Sequence, residues 1–316
     1  MTIRVFTFGE SMGLVQGDEI NAIDQLSSAR ISTGGSEANV AIGLSRLGLD
    51  STWLSRVGND GFGKRVVGDL RSEGVSVIAN IDMESPTGLM VKTTPRAGVT
   101  AVDYYRKGSA ASKLSMNDFA DVNFSDYNLV HVTGITPALS AQNQATWLAV
   151  AKVAKAAGCL VSFDVNYRSK LWSKEKAASV FKDMLLLADI VIAGIDEAQL
   201  ILDDDSEDPL ALGRKIEDFG PSVVAIKCGA DGAAVVSKGQ THRVKALSVS
   251  VVDTVGAGDA FSAGFIAKYL ETKDSNAALN LANVVGGLAC THPGDWQGLP
   301  TAVEVSQFLS NDPVQR

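Results

Sequence analysis

The stretch Asp253-Thr254-Val255-Gly256-Ala257-Gly258-Asp259-Ala260-Phe261 runs into two interleaved helical patterns. Phe261, Phe265 and Tyr269 recur on one face, while Ala260, Ala263, Gly264 and Ala267 form a small-residue face suited to close packing. A helix therefore starts inside the glycine segment. Its first backbone N–H groups have no intrahelical partners, and Gly256 and Gly258 leave room for a ligand to reach them, so the segment can form an anion site with Asp259 beside it. A fixed carboxylate next to an anion hole suits phosphoryl transfer to an alcohol. The hole stabilises charge on the moving phosphoryl oxygens, and the carboxylate accepts the proton of the attacking hydroxyl. Read locally, the same residues also fit a tight turn, with Asp259 favoured at the positive end of the helix dipole.

Around this segment, β-rich runs at 129–133, 160–164, 189–193 and 223–228 alternate with helical patterns at 141–157 and after Ser173. Such alternation implies βαβ crossovers and a doubly wound, mostly parallel sheet. Runs such as Asp189-Ile190-Val191-Ile192-Ala193 suit strands buried on both faces. The first third reads differently: beside a helix over 36–47, the pieces 14–16, 29–32, 88–93 and 100–105 look like short strands without long helices between them. They fit a small sheet projecting from the core. The expected division is a core of 1–11, 35–86 and 108–316 and a β-sheet lid of 12–34 and 87–107.

The 316 residues are 46% apolar and 20% charged, as in a globular protein with a substantial core, which excludes disorder and a small stapled scaffold. The net charge of −8 and the lack of a long Lys/Arg run exclude a surface for nucleic-acid polymers. Cys159, Cys228 and Cys290 are odd in number and far apart, suggesting reduced core thiols rather than a disulfide framework or zinc site. With no membrane-spanning stretch and no leader pattern, a cytoplasmic location is expected. The acidic run 203–208 reads as a solvated loop opening a helix at Pro209, and His131 as a packed side chain on an apolar strand.

Two glycine patterns are set aside. Gly58-Asn59-Asp60-Gly61-Phe62-Gly63-Lys64 has the spacing of a P-loop, but Arg65 stands where a Mg²⁺-binding hydroxyl is needed, and no strong strand is expected to feed it. Gly9-Glu10-Ser11-Met12-Gly13 lacks dinucleotide-binding spacing.

Taken together, Gly34-Gly35-Ser36-Glu37-Ala38-Asn39-Val40-Ala41, the Gly58–Gly63 element and the Asp253–Phe261 segment resemble, in order, the signatures of ribokinase-like (PfkB) carbohydrate kinases. The resemblance spans nearly the whole chain. It implies an α/β sandwich with a β-sheet lid, ATP and Mg²⁺ as cofactors, with a monovalent cation as an option, and a homo-oligomer built through the lid. It assigns Asp259 as base and Gly256, Ala257 and Gly258 as the anion hole. Lys227, Gly229 and Gly232 match the family's nucleotide loop, with a simple strand-turn-strand hairpin as the alternative reading. Asn166 and Asn283 stand where the family contacts the nucleotide. The family's N-x-x-E element becomes Gly194-Ile195-Asp196-Glu197, which keeps Glu197 for a water-mediated Mg²⁺ contact and loses the side-chain amide.

Within the family the segments 104–110, 134–140 and 163–168 are most similar to those of 2-keto-3-deoxygluconate kinases. A sugar acid carries a carboxylate, and Arg is the side chain best shaped to grip it. Arg106 and Arg168 are the expected pair. The same resemblance places Gly34 and Tyr104 at the sugar and Asp295 at its terminal hydroxyl. The expected reaction is ATP-dependent phosphorylation of the C-6 hydroxyl. The alternatives are a fructokinase or ribokinase of the same family, or a non-catalytic sugar- or nucleotide-binding regulator. An intact Gly256-Ala257-Gly258 followed by Asp259 speaks against the regulator, since a binding module needs no base.

Overall fold

The computed structural model describes residues 2–310. In chain order its regular elements are β1 (Arg4–Phe8), β2 (Met12–Gly17), β3 (Ala29–Gly34), α1 (Ser36–Arg46), β4 (Asp50–Gly58), α2 (Gly61–Ser72), β5 (Ser76–Asp82), β6 (Leu89–Arg96) and β7 (Val99–Tyr105). There follow β8 (Leu129–Thr133), α3 (Ala141–Ala156), β9 (Leu160–Asp164), α4 (Lys174–Leu185), β10 (Ile190–Gly194), α5 (Ile195–Leu202), α6 (Pro209–Glu217) and β11 (Val223–Lys227). The last are β12 (Ala233–Ser237), β13 (Gln240–Val244), α7 (Ala257–Thr272), α8 (Ser275–Ala289) and α9 (Ala302–Ser310).

The large sheet has the order β13-β12-β11-β10-β9-β8-β1-β4-β5. It is parallel except where β12 and β13 join antiparallel at one edge. The central strands are buried on both faces, as their unbroken apolar runs require. One face packs a core that includes Trp147, Phe163 and Phe181 beneath the α3 and α4 helices. On the other face, Val40, Phe265 and Leu279 carry α1, α7 and α8.

The small-residue face of α7 serves close helix packing. An added Cβ on Gly264 would lie 3.0 Å from Ala282 Cα and from Val285 Cβ, and one on Gly43 of α1 would lie 2.7 Å from Ala263 Cβ. The aromatic face stacks along itself, with Phe261–Phe265 and Phe265–Tyr269 ring centroids 6.4 and 6.2 Å apart.

The first third does more than project a small sheet. Its α1-β4-α2-β5 portion extends the large parallel sheet, and β4 feeds directly into the loop before α2, contrary to the sequence expectation for that loop. The polar, mixed composition of 50–58 conceals a nine-residue strand. The loop is still a poor phosphate cradle, because Asp60 already fills it. One carboxylate oxygen accepts the Gly63 N–H at 2.8 Å and the other the Thr87 N–H at 2.8 Å.

The second sheet has the order β3-β2-β6-β7, with β2 and β6 parallel and the outer pairs antiparallel. Met12, Leu14 and Met90 form its buried patch, while Ile31 and Tyr105 are 53% and 64% exposed. Asp208 caps α6 ahead of Pro209 as the acidic run suggested. His131 is fully buried, its Nδ1 lying 3.2 Å from Ser162 Oγ, and burial pushes its pKa down to about 4. The three cysteines are free. Among the described residues no helix is long and apolar enough to cross a membrane.

Candidate active site

The carboxyl ends of β9, β10 and β11, the amino end of α7 and the inner side of the small sheet enclose a cavity of about 910 Å³. Open α/β sheets place ligands at such strand ends. Gly256 adopts a left-handed φ of 79° and packs so tightly on the Asp295 carbonyl that any side chain would collide with it. Helix α7 then begins at Ala257. Gly258 faces open space: the one atom near an added Cβ would be Lys227 Nζ, at 3.7 Å. Unpaired helix N–H groups and an ammonium thus converge on one spot, which is the chemistry of a phosphate site.

Lys227 reaches this spot from the end of β11. Asp164 at the end of β9 holds its ammonium through both oxygens, at 2.9 and 3.0 Å, and Ser262 of α7 donates to the same carboxylate at 2.7 Å. Burial works against the Lys227 charge, but Asp164, with Glu197 and Asp259, outweighs it and keeps the pKa above the ordinary lysine range. The cation is therefore fixed and permanent.

Asp259, in the first turn of α7, is 8% exposed. Ser36 Oγ donates to Oδ1 at 2.6 Å and Asn39 Nδ2 to Oδ2 at 2.8 Å, both from the first turn of α1. Asn166, at a left-handed φ of 39°, donates to Ser36 Oγ at 2.7 Å. Burial raises the Asp259 pKa above its usual range, and the Ser36 and Asn39 bonds oppose the rise. A carboxylate so oriented can hold a substrate hydroxyl and take its proton.

The two arginines are not equivalent. Arg106 directs Nε and Nη2 at Glu10 Oε2, 2.6 and 2.5 Å away, while Ser109 donates to the other Glu10 oxygen. Its guanidinium also lies 5.7 Å from the centre of the Tyr104 ring. Arg168 lines the same cavity without an ion-pair partner among the described residues, and its charge acts on both Asp259 and Asp295. Asp295 is 9% exposed, and burial lifts its pKa to about 6, with Lys92 opposing. Gly34 has no room for a side chain, since a Cβ would strike the Asp295 carboxylate and Met90.

Glu197 caps its own helix: Oε2 accepts the Gly194 N–H at 2.7 Å and Oε1 the Tyr167 N–H at 2.8 Å. Burial raises its pKa and Lys227 opposes. No group of three or more metal-ligating side chains exists among the described residues. A Mg²⁺ carried on ATP phosphates needs few protein ligands, so the cavity's Glu197 and Asp196 fit it through water.

Several expected residues lie apart. Asn283 donates to the Lys245 carbonyl at 2.9 Å and, like Gly34, Gly229, Gly232 and Ala257, is not in the cavity wall. Conversely, sequence reading left Glu10, Ser36, Asn39, Asp164, Lys92 and Asp253 without individual roles. Ser36 and Asn39 had a signal in their i, i+3 spacing at a helix start.

A nine-stranded sheet, a second sheet over its strand ends and a buried carboxylate beside a helix amino end form the arrangement of a sugar kinase. The chain belongs to the pfkB family of carbohydrate kinases, whose model matches residues 2–302. It is 37% identical over 314 residues to a 2-dehydro-3-deoxygluconokinase of Bacillus subtilis, covering 98% of this chain and 96% of that one. It is 32% identical to a fructokinase of Vibrio alginolyticus, covering 87% and 91%. A provisional ribokinase II from E. coli, solved in complex with ATP and Mg²⁺, superposes with a TM-score of 0.90 at 27% identity, covering 98% and 99%.

Proposed function

We propose that this kinase transfers the γ-phosphoryl group of ATP to the C-6 hydroxyl of 2-keto-3-deoxygluconate, giving 2-keto-3-deoxy-6-phosphogluconate and ADP. The compound is the 2-dehydro-3-deoxygluconate in the name of the Bacillus subtilis relative. The observation that carries the reading is Arg168, a cavity-facing guanidinium without an ion-pair partner among the described residues, whereas Lys92, Arg106 and Lys227 of the same cavity are each held by a carboxylate. An unmatched cation there suits an anionic substrate better than a neutral sugar.

In this reading the sugar acid lies between the small sheet and α7. Arg168 grips its carboxylate, with the remaining Nη1 of Arg106 as a second contact, and Tyr104 covers it. Gly34 lets Asp295 and Met90 pack close beside the sugar, and Asp295 accepts a hydrogen bond from a hydroxyl near the far end. Asp259 takes the C-6 proton as that oxygen attacks the γ-phosphorus and the bond to the β-phosphate oxygen breaks. Gly256, Ala257 and Gly258 offer N–H groups to the transferred phosphoryl, and Lys227 adds a fixed charge. Bound Mg²⁺ would neutralise phosphate charge, with Glu197 contacting it through water. Asn166 acts through Ser36 on the base, and Gly229, Gly232 and Asn283 border the nucleotide beyond the cavity.

Segments 12–34 and 87–107 act as the lid. Their exposed Ile31 and Tyr105 suit pairing with a second copy of the chain, since an open sheet leaves edges and apolar area uncovered. Light scattering at micromolar concentration should give at least a dimer, and a monomer would refute this assembly.

The test of the reaction is a panel of 2-keto-3-deoxygluconate, fructose and ribose at matched concentrations with ATP and Mg²⁺. The sugar acid should give the highest kcat/KM. A preference for either neutral sugar would replace this reading with a fructokinase or ribokinase.

A further inference from the structure

Lys92 lies within the small sheet, opposite Gln16 of β2 and Val102 of β7. Its side chain leaves that sheet and crosses to the segment before α7, where Nζ lies 2.9 Å from Asp253 Oδ2. The other oxygen, Oδ1, accepts the Val255 N–H at 3.1 Å. One carboxylate therefore holds a strand of the small sheet with one oxygen and the loop entering Gly256 with the other. The Asp253 backbone N–H is itself tied to the Cys290 carbonyl, 3.2 Å away at the end of α8, so the loop is braced from behind.

Both side chains are largely withdrawn from water, 11% exposed for Lys92 and 20% for Asp253. Separating them would leave two poorly solvated charges, so the position of β6 and the shape of 253–256 favour each other. Lys92, Thr254, Val255 and Gly256 all line the central cavity. Among the described residues this is the one ion pair between the small sheet and that loop; the sheet's other inward pair, Arg106 with Glu10, ends on the turn between β1 and β2.

We propose that Lys92 is a positioning residue that couples sugar capture beneath the small sheet to assembly of the phosphate-binding end of α7. Sugar held under the sheet fixes β6. Lys92 then fixes Asp253, and Asp253 fixes the Val255 N–H and with it the approach to Gly256 and Gly258. Linkage requires the effect to be reciprocal: sugar tightens nucleotide binding by the factor by which nucleotide tightens sugar binding. The proposal rests on the amino end of α7 being the phosphate site, and it is independent of which sugar is the substrate.

The experiment is titration calorimetry of a non-hydrolysable ATP analogue with Mg²⁺, with and without a saturating sugar, taken as whichever panel compound the wild-type enzyme phosphorylates. A failure of the sugar-acid assignment therefore leaves the test intact. In the wild type, sugar should tighten nucleotide binding at least about fivefold, the lower end of ordinary coupling. Lys92→Met should bring that factor to roughly one, and Asp253→Asn, which keeps shape, should do the same. The double variant should lose no more than either alone, because the pair acts as a unit. Lys92→Arg, which keeps the charge, should retain most of the coupling. A wild type without coupling, or an unchanged factor in Lys92→Met or, if that variant does not fold, in Asp253→Asn, overturns the proposal. Gly258→Val checks the phosphate site separately. It should abolish nucleotide binding, and undiminished binding would remove the reading on which the coupling rests.

Discussion

Arg106 points two of its guanidinium nitrogens at a single oxygen of Glu10, a carboxylate whose side chain is fully buried. This fixes the arginine fork before any substrate arrives, and the donors left for a ligand belong mainly to Nη1. Arg168 has no such partner among the described residues, so its planar edge is available to a carboxylate. The two residues share one cavity and divide the work unequally.

The substitutions should therefore differ. Arg168→Lys should lower kcat/KM for the sugar acid by roughly tenfold to a hundredfold with little change in the KM for ATP, since a two-pronged charged contact is worth about 1.5–3 kcal/mol. Arg106→Lys should cost less with the acid and should also impair an analogue whose carboxylate is reduced to an alcohol, because it disturbs Glu10 and the lid. Steady-state kinetics with both compounds decide this; equal losses for acid and alcohol in Arg168→Lys would remove its carboxylate role.

Asp259→Asn should lose most turnover, on the order of 10²–10⁴-fold, while ATP binding changes little. The amide keeps the shape held by Ser36 and Asn39 but cannot take the hydroxyl proton. Near-normal kcat in a folded variant would exclude the base role.

The acid side of the pH profile should report Asp295 together with Asp259. Burial brings Asp295 to about 6, so protonation below that pH removes its capacity to accept as a carboxylate, and kcat/KM for the sugar should fall as pH drops through about 6. Asp259, raised in the same direction, adds to the fall. Asp295→Asn should lower kcat/KM across the range and displace this limb. An unchanged limb would leave Asp295 without a part in it.

Glu37 gives a stability prediction. It is fully buried, with Oε1 accepting from Thr133 and Thr136 at 2.7 Å each and Oε2 without a partner, and burial lifts its pKa from 4.5 to about 7. The folded state thus binds its proton more tightly than the unfolded chain. Its contribution to stability is complete below about 4.5 and is lost as pH rises through about 7. That difference corresponds to at most roughly 3 kcal/mol. In denaturant titrations at pH 5 and 8, Glu37→Gln should lose less stability between the two than the wild type does, and equal losses would refute this.

Helix α7, its small and aromatic faces, the buried parallel strands and the glycine turn that opens α7 were legible in the chain. Each rests on a local regularity: a repeat of about 3.6 residues, an apolar run, or a glycine where a chain must turn or a ligand approach. The same regularity failed at β4, where mixed polarity hides a strand between helices. The partners of the buried charges emerge only when the chain is folded. Asp259 is held by Ser36 and Asn39, more than 200 positions away, Lys92 by Asp253, and Arg106 by Glu10 rather than by an empty site. Periodicity states which face of an element is buried, but a charge taken out of water is matched by whatever the topology brings beside it, and that partner leaves no local mark in the chain.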